Sequence, residues 1–168
     1  DVYKRQFKIE GRARGPEYVH TVVTCYKEAI EATLNGTYTE EKKTELDERL
    51  SRVFNRGFWD GYYQGQKLGE WTKNYGNKAT EKKIQVGKVV KYFSKIGIAE
   101  VAVQSGTFKK GDKLLITGPT TGAMYANAEE IRFDLEPVET AEQGTRVSIP
   151  VPDKVRPNDK LFRIDKVD

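Results

Sequence analysis

Apolar residues recur at helical spacing in the first third of the chain. Over Val19–Leu34 they return every three or four positions, which is the period of a helix with one apolar face. Pro16 suits the first helical position, and Asn35-Gly36 is a typical C-terminal stop. Thr37 with Glu40 matches a capping box, which predicts the start of a second helix. Two consecutive helices are therefore predicted.

Alternating polar and apolar positions predict strands at both ends of these helices. Residues 5–10 alternate in this way and lead into the first helix through a basic, glycine-bounded turn. From Ile84 onward β-branched residues dominate, and KKGDKLLI, EQGTRVSI and RPNDKLFRI each place Gly or Asn before an apolar strand. About six short antiparallel strands are predicted. Because roughly 85 residues leave little material for two full sheets, a small closed barrel is favoured. The predicted fold class is α+β.

Composition is that of a folded protein without a membrane segment. Of 168 residues, 37% are hydrophobic and 32% are charged. No apolar run reaches the roughly 20 residues that span a bilayer, and no signal peptide is visible. The single cysteine, Cys25, excludes an internal disulfide framework and a self-contained cysteine-ligated metal site. A cytoplasmic location is expected.

Positive charge is concentrated in residues 67–95, which contain eight lysines but only Glu70 and Glu81 as acidic residues. Lysines neutralise phosphates and aromatic rings stack on bases, so this segment favours RNA contact. The alternative is a solvated linker and a strand edge on which lysines discourage edge pairing. The candidate RNA-binding residues are Lys82, Lys83, Lys88, Lys91, Tyr92 and Phe93.

Several apparent sites are excluded by their spacing. His20 and Cys25 lie five positions apart on one predicted helix and point roughly 140° away from each other. The run ITGPTTG lacks the lysine and the following helix of a phosphate-binding loop, so a hairpin connection is predicted. Glu129 and Glu130 are adjacent on a predicted strand and face opposite sides.

A charged segment, KIEGR, precedes the first helix. Lys8 and Glu10 share one side of the predicted strand, and Arg12 and Arg14 follow at its exit. Charged residues at the C-terminal end of a strand that feeds a helix are typical of α/β-barrel active sites. The alternatives are a surface strand with an ordinary ion pair, or an engineered protease site, since Ile9–Arg12 spells IEGR.

Three motifs in order resemble the collagenase-like peptidase family U32. FKIEGRARGPEYVHTVVTCYKEAI resembles the end of that family's catalytic barrel, and VFNRGFWDGYYQG resembles its next signature. VGKVVKYFSKIGIAEVAVQSG, KKGDKLLITGPTTG and VSIPVPDKVRPNDKLFRI are similar to its C-terminal appendage, a β-barrel like the second domain of translation factors. The resemblance covers residues 7–168. Residues 1–6, DVYKRQ, do not fit the family and match a translated sequencing adapter, so we interpret them as an artefact.

The resemblance implies a domain organisation. After the artefact at 1–6, residues 7–66 are expected to be the remnant of a truncated catalytic barrel, 67–83 a basic linker, and 84–168 the C-terminal barrel. Lys8, Glu10, Arg12 and Arg14 would line the rim of the parent active site, joined by Asn55 and Arg56. Arg56 has an equal claim to a structural ion pair.

The resemblance also implies two alternative functions for the parent protein. In one, the parent is a peptidase, and this noncatalytic C-terminal fragment binds a protein substrate or partner. In the other, the parent takes part in hydroxylation of tRNA or rRNA bases, and the linker and barrel contact RNA. The expected partners are the missing N-terminal barrel and either protein or RNA. No cofactor is expected in this chain, and an iron–sulfur cluster is expected only in a full-length parent.

Overall fold

The computed structural model describes residues 7–58 and 76–167. The chain divides into two compact units, Asp1–Thr80 with Val167–Asp168, and Glu81–Lys166. In the described residues the first unit carries the helices and the second carries the strands, almost all in one antiparallel sheet, which confirms the α+β class. Residues 1–6, which we interpret as an artefact, lie outside the described residues. So do residues 67–75 of the expected linker.

The two predicted helices are both present. Helix α1 spans Pro16–Leu34, with Pro16 at its first position, and helix α2 spans Glu40–Arg52. The backbone N–H of Asn35 donates to the Glu31 carbonyl at 3.0 Å, and Gly36 follows with φ 69°. This left-handed residue closes α1 in the way that the Asn-Gly pair predicts.

The predicted cap of α2 is wrong by two residues. Thr39, not Thr37, is the N-cap, and its hydroxyl accepts a hydrogen bond from the Lys42 backbone N–H at 3.2 Å. Thr37 instead donates its backbone N–H to the Ala32 carbonyl at 2.8 Å. The closing turn of α1 therefore occupies Thr37, and the next hydroxyl residue takes over the cap.

The predicted strand at residues 5–10 is also corrected. Residues 7–10 are not part of a strand. Alternation alone does not form a strand, because a strand requires a hydrogen-bonding neighbour, and none is recorded for 7–10 among the described residues. The turn that follows them is formed, since the Arg14 N–H donates to the Gly11 carbonyl at 3.0 Å.

One face of α1 packs against α2. Val22, Cys25 and Ala32 of α1 are buried, as are Leu46 of α2 and Val53 at its C-terminal end. Cys25 is only 2% exposed, which confirms its prediction as a packing residue. These buried side chains form the apolar part of the contact between the two helices.

The second unit is built from ten strands, all within the described residues. They are β1 (Glu81–Phe93), β2 (Ile98–Val103), β3 (Phe108–Lys109), β4 (Lys113–Gly118), β5 (Gly122–Asn127), β6 (Arg132–Phe133), β7 (Glu136–Pro137), β8 (Thr140–Ala141), β9 (Arg146–Pro150) and β10 (Lys160–Lys166). Eight form one sheet in the order β5-β4-β10-β1-β2-β9-β6-β7, and β3 pairs with β8. Every recorded pair is antiparallel, as expected. The count exceeds the predicted six because four of the strands have only two residues.

The sheet curves around a single apolar core. Leu114 of β4 and Val147 of β9 lie in the same buried cluster, although three strands separate β4 from β9 in the sheet. A flat sheet would not bring these side chains together, so the sheet is strongly bent, in keeping with a barrel-like unit. The ITGPTTG run forms the predicted hairpin, in which Gly118 pairs with Gly122 between β4 and β5.

Two irregularities in β1 determine which side chains face outward. The register of β1 shifts between Gln85 and Gly87 against β10, and between Val89 and Lys91 against β2. Each shift inserts a residue and changes the alternation that follows. Gly87 is required at the first shift, because a Cβ there would overlap the carbonyl oxygen of Ala102 on β2.

Candidate functional site

The segment before α1 forms a tight turn closed by its own side chain. The Glu10 carboxylate accepts a hydrogen bond from the Arg12 backbone N–H at 2.9 Å. Ala13 adopts φ 57°, a left-handed conformation uncommon for a residue with a side chain. Gly11 packs so closely on α1 that a Cβ there would lie 2.8 Å from Val19. Glu10 and Arg12 are thus brought together through backbone rather than through paired side chains.

Arg14 and Asn55 each make contacts near the C-terminal end of α2. The Arg14 guanidinium carbon lies 3.6 Å from the centre of the Phe54 ring, a stacked cation–π contact. The Asn55 side-chain amide donates to the carbonyls of Ser51 and Val53 at 3.1 and 3.0 Å and so closes the helix terminus. These contacts give Arg14 and Asn55 structural roles.

The remaining predicted rim residues, Lys8 and Arg56, are exposed. Among the six, the structure therefore brings Arg14 next to the Phe54-Asn55 segment and links Glu10 to Arg12. It does not draw all six into one cluster. Their role at the rim of a parent active site stays a prediction.

The two shifts in β1 sort the predicted RNA-binding residues onto two faces. Lys88 lies opposite Ala102, Lys91 opposite Glu100 and Phe93 opposite Ile98, all on the outer face of the sheet. Residues directly opposite in an antiparallel pair share a face, so the three side chains point the same way. Without the shifts, strict alternation would put Lys88 and Lys91 on opposite faces.

Lys83 also belongs to this outer face. Its ammonium lies 5.1 Å from the centre of the Phe162 ring on β10, as the Lys91 ammonium lies 4.8 Å from that of Phe93. Lys88 lies opposite Lys160, which places two like charges side by side. We call Lys83, Lys88, Lys91, Lys160 and Phe93 the basic outer face.

Lys82 and Tyr92 point away from that face. Tyr92 lies opposite Ala99 and packs against the core, and Lys82 lies opposite Asp165. Arg163 donates to both Asp165 oxygens at 2.7 and 2.9 Å. These hydrogen bonds, and further the charge of Lys82, hold the pKa of Asp165 below its ordinary value. The structure thus separates two of the six predicted residues from the other four.

An ion-pair cluster between the helices escaped the sequence analysis. Arg49 of α2 donates to both oxygens of Glu28 on α1 at 2.7 and 2.8 Å, and the Lys42 ammonium contacts Glu28 at 3.0 Å. Hydrogen bonds from Arg49 and then Lys42 lower the pKa of Glu28 from 4.5 to about 2. Burial beneath this cluster raises the pKa of the Cys25 thiol. The cluster serves to lock α1 against α2.

Comparison with known proteins places the chain in a family. The family model described as peptidase family U32 matches residues 4–73. A protein of Porphyromonas gingivalis strain W83 named collagenase is 62% identical over 166 residues, which cover 99% of this chain and 40% of that protein. The chain belongs to peptidase family U32. The resemblance indicated by the sequence motifs is therefore confirmed, and the chain spans 40% of the length of this relative.

Two further similar proteins differ in name and in extent. The tRNA hydroxylation protein P1 of Bacillus subtilis is 34% identical over 118 residues, 67% of this chain and 26% of that protein. The solved C-terminal domain of a Geobacillus thermoleovorans U32 peptidase is 22% identical, with a TM-score of 0.45. That match covers 47% of this chain and 90% of the solved domain.

An iron–sulfur cluster does not fit the residues of this U32 chain. Such clusters are held by about four cysteine ligands, and this sequence has one cysteine. Cys25 is buried between the helices beneath Glu28 and Arg49, in a position that supports packing. Neither of the described helices combines the length and the apolar character needed to cross a bilayer.

Proposed function

We propose that this chain is the noncatalytic C-terminal portion of a longer U32 peptidase. Its helical unit would dock onto the rest of the parent protein, and its β unit would bind a protein substrate or partner. The observation that carries the proposal is a second apolar face on α1. The match covers only 40% of the 62%-identical relative. The remaining 60% of that protein could provide the surface that covers this face.

The second apolar face of α1 is a continuous stripe of exposed side chains. Its helical members recur at intervals of three or four residues, and Phe7 extends the stripe by lying 5.8 Å, ring centre to ring centre, from Tyr26. Their exposed fractions run from 37% to 81%. The members are Phe7, Val19, Val23, Tyr26, Ile30 and Leu34. A soluble helix rarely leaves such a face uncovered, which supports docking.

Mixing experiments test the docking. The 168-residue chain is combined with the part of the Porphyromonas gingivalis collagenase that it does not match, and the mixture is analysed by size-exclusion chromatography with light scattering. We expect a one-to-one complex that Ile30→Asp abolishes and that His20→Asp, a control on the exposed polar face, leaves intact. No complex, or equal loss with both variants, would refute docking through the stripe.

Binding by the β unit is tested separately with gelatin as the probe. The relative's name, collagenase, belongs to that protein, but it makes an unfolded collagen chain the natural first probe for this one. The full chain should retain gelatin in a pull-down after ribonuclease treatment. Absence of gelatin binding would contradict a protein-binding role for the unit.

RNA contact is the second candidate function, and the basic outer face favours it. Four lysines, one of them on β10, share a surface with Phe93. The Bacillus subtilis relative bears the name tRNA hydroxylation protein. Lysines on phosphates release counterions, so binding of a single-stranded RNA should weaken steeply with salt.

The opposite-face lysine provides a matched control for the RNA candidate. Lys88→Ala with Lys91→Ala should lower the slope of log affinity against log salt by about 1 to 2. Lys82→Ala, on the other face of the same strand, should leave the slope unchanged. If Lys82→Ala lowered the slope as much as the double variant does, the basic outer face would not be the RNA site.

A further inference from the structure

An apolar row crosses the outer face of the β unit at one end of the sheet. Phe93 of β1 lies opposite Ile98 of β2, and Ile98 lies opposite Pro150 of β9. Ser148, two residues before Pro150, lies opposite Arg132 of β6. The register therefore aligns an aromatic ring, an aliphatic chain and a proline across three neighbouring strands. These are positions where an antiparallel sheet that faces water normally carries polar residues.

Two turns complete a groove over this row. Ile96, in the β1–β2 turn, is 69% exposed, and Leu135, in the β6–β7 turn, is 83% exposed. Both line the same cavity as the row, together with Glu130 and Arg132. The cavity has a volume of about 480 Å³, within the range of small-ligand sites. We call it the apolar groove.

Leu135 is held in a costly conformation above the groove. Asp134 and Leu135, the two central residues of the β6–β7 hairpin, have φ values of 48° and 72°. Glycine or asparagine is usual in such a turn, and an aliphatic side chain there is conformationally unfavourable. Strain of this kind concentrates at binding sites. The fold thus holds an aliphatic side chain in water, at a conformational cost, at the edge of an apolar cavity.

The charges around the groove alternate in sign. At one end the Lys91 ammonium lies 4.8 Å from the Phe93 ring centre, and Lys91 is opposite Glu100 in the sheet. At the other end Arg132 Nε contacts Glu130 at 2.6 Å. Glu100 also contacts Arg146 at 3.8 Å, so paired charges of both signs flank the groove and neither end is purely cationic, as a polyanion site would be. An uncharged side chain flanked by residues of both signs is complementary to it.

The geometry points to a site for an extended peptide: we propose that the apolar groove binds one bulky apolar side chain of a protein substrate or partner, with basic and acidic neighbours of that side chain meeting the rim. This assignment rests on the proposed function of the β unit as a protein-binding module and specifies where and how it binds. The apolar side chains on the inner face of the sheet are buried in the core. The apolar groove lies on the outer face and takes no part in that core, so it is available to a ligand.

Fluorescence anisotropy with the full chain tests the assignment. The probes are short fluorescein-labelled peptides that differ only at a central Leu, Phe or Ser, flanked by one Lys and one Glu. The Leu and Phe peptides should bind at least about tenfold more tightly than the Ser peptide. Leu135→Gly and Ile96→Ser should each weaken the Leu and Phe peptides several-fold without lowering the melting temperature. The matched control is Phe133→Ser, which removes a 41%-exposed side chain from the same hairpin outside the groove.

The outcomes separate this proposal from the one on which it rests. Suppose that the wild type binds gelatin, and that Leu135→Gly and Ile96→Ser bind gelatin and the peptides as tightly as the wild type does. The groove is then not the binding site, but the protein-binding role of the β unit stands. If the wild type binds neither gelatin nor any peptide, the protein-binding role itself fails. If a single-stranded RNA binds and loses affinity in Ile96→Ser, while no peptide binds, the groove belongs to RNA and the assignment is overturned.

Discussion

Replacing Glu28 with Gln should destabilise the helical unit at neutral pH and remove part of its acid sensitivity. Glu28 receives two hydrogen bonds from Arg49 and one from Lys42, and they lower its pKa from 4.5 to about 2. Such a lowering corresponds to about 3 kcal/mol of differential interaction. The Glu28 side chain is 30% exposed, and solvent screening reduces the net value to about 1–2 kcal/mol.

The sign of the pH effect follows from the direction of the pKa change. A carboxyl group with a lower pKa in the folded state stabilises that state while it is ionised. The contribution of Glu28 is therefore complete above pH 4.5 and is lost as the pH falls to about 2. Urea unfolding followed by far-ultraviolet circular dichroism reports on the helices and provides the assay across this window.

Glu31→Gln is the matched control, since Glu31 lies on the same helix and is 58% exposed with only a 3.9 Å contact to Lys27. We expect Glu28→Gln to lower the free energy of unfolding by about 1–2 kcal/mol at neutral pH and Glu31→Gln by less than about 0.5 kcal/mol. The gap between wild type and Glu28→Gln should close as the pH approaches 2. A gap that persists in acid, or equal losses in both variants, would show that the helices are not held by this charge cluster.

Two substitutions and one labelling experiment test other parts of the structure. Gly87→Ala should destabilise the β unit by at least about 2 kcal/mol in thermal unfolding, because its Cβ would overlap the Ala102 carbonyl; a wild-type melting temperature would contradict the shifted register. Asp159→Ala should lower the free energy of unfolding by about 2–3 kcal/mol, because the buried Asp159 carboxylate accepts a hydrogen bond from the Thr121 hydroxyl at 2.6 Å. An unchanged midpoint of urea unfolding would show that this hydrogen bond does not stabilise the fold. Cys25 should react with a thiol reagent only at the rate of unfolding, and prompt labelling of native protein would disprove its burial.

Local patterns in the sequence predicted the elements whose signals are local. The period of α1 and its Asn35-Gly36 stop depend on adjacent residues, and both are confirmed. The N-cap of α2 is Thr39 rather than Thr37, because the backbone N–H of Thr37 donates to the closing turn of α1. Residue propensities alone do not distinguish the two threonines. The strand expected at 5–10 fails at 7–10 because alternation does not supply a neighbouring strand.

Features that depend on register or on distant residues could not be predicted. Lys82 and Lys83 are equivalent lysines in the sequence, yet Lys82 pairs with Asp165 and Lys83 lies over Phe162. Arg49 contacts Glu28 across 21 positions, which no periodic pattern reveals. Two-residue strands such as β6 and β7 leave no alternating signal, although they form the hairpin that presents Leu135.

The irregular register of β1 links the two candidate binding functions of the β unit. The shift between Val89 and Lys91 brings Lys91 and Phe93 to the outer face, where Phe93 belongs both to the basic outer face and to the apolar groove. A base stacked on Phe93 would occupy the space that an apolar peptide side chain needs, so the two ligands should compete. Because Lys88 and Lys160 lie farther along the strands, neutralising them should weaken RNA while sparing peptide, whereas Ile96→Ser should do the reverse. If the chain bound RNA and peptide at the same time, the two ligands would occupy separate sites, and the expected competition at Phe93 would be contradicted.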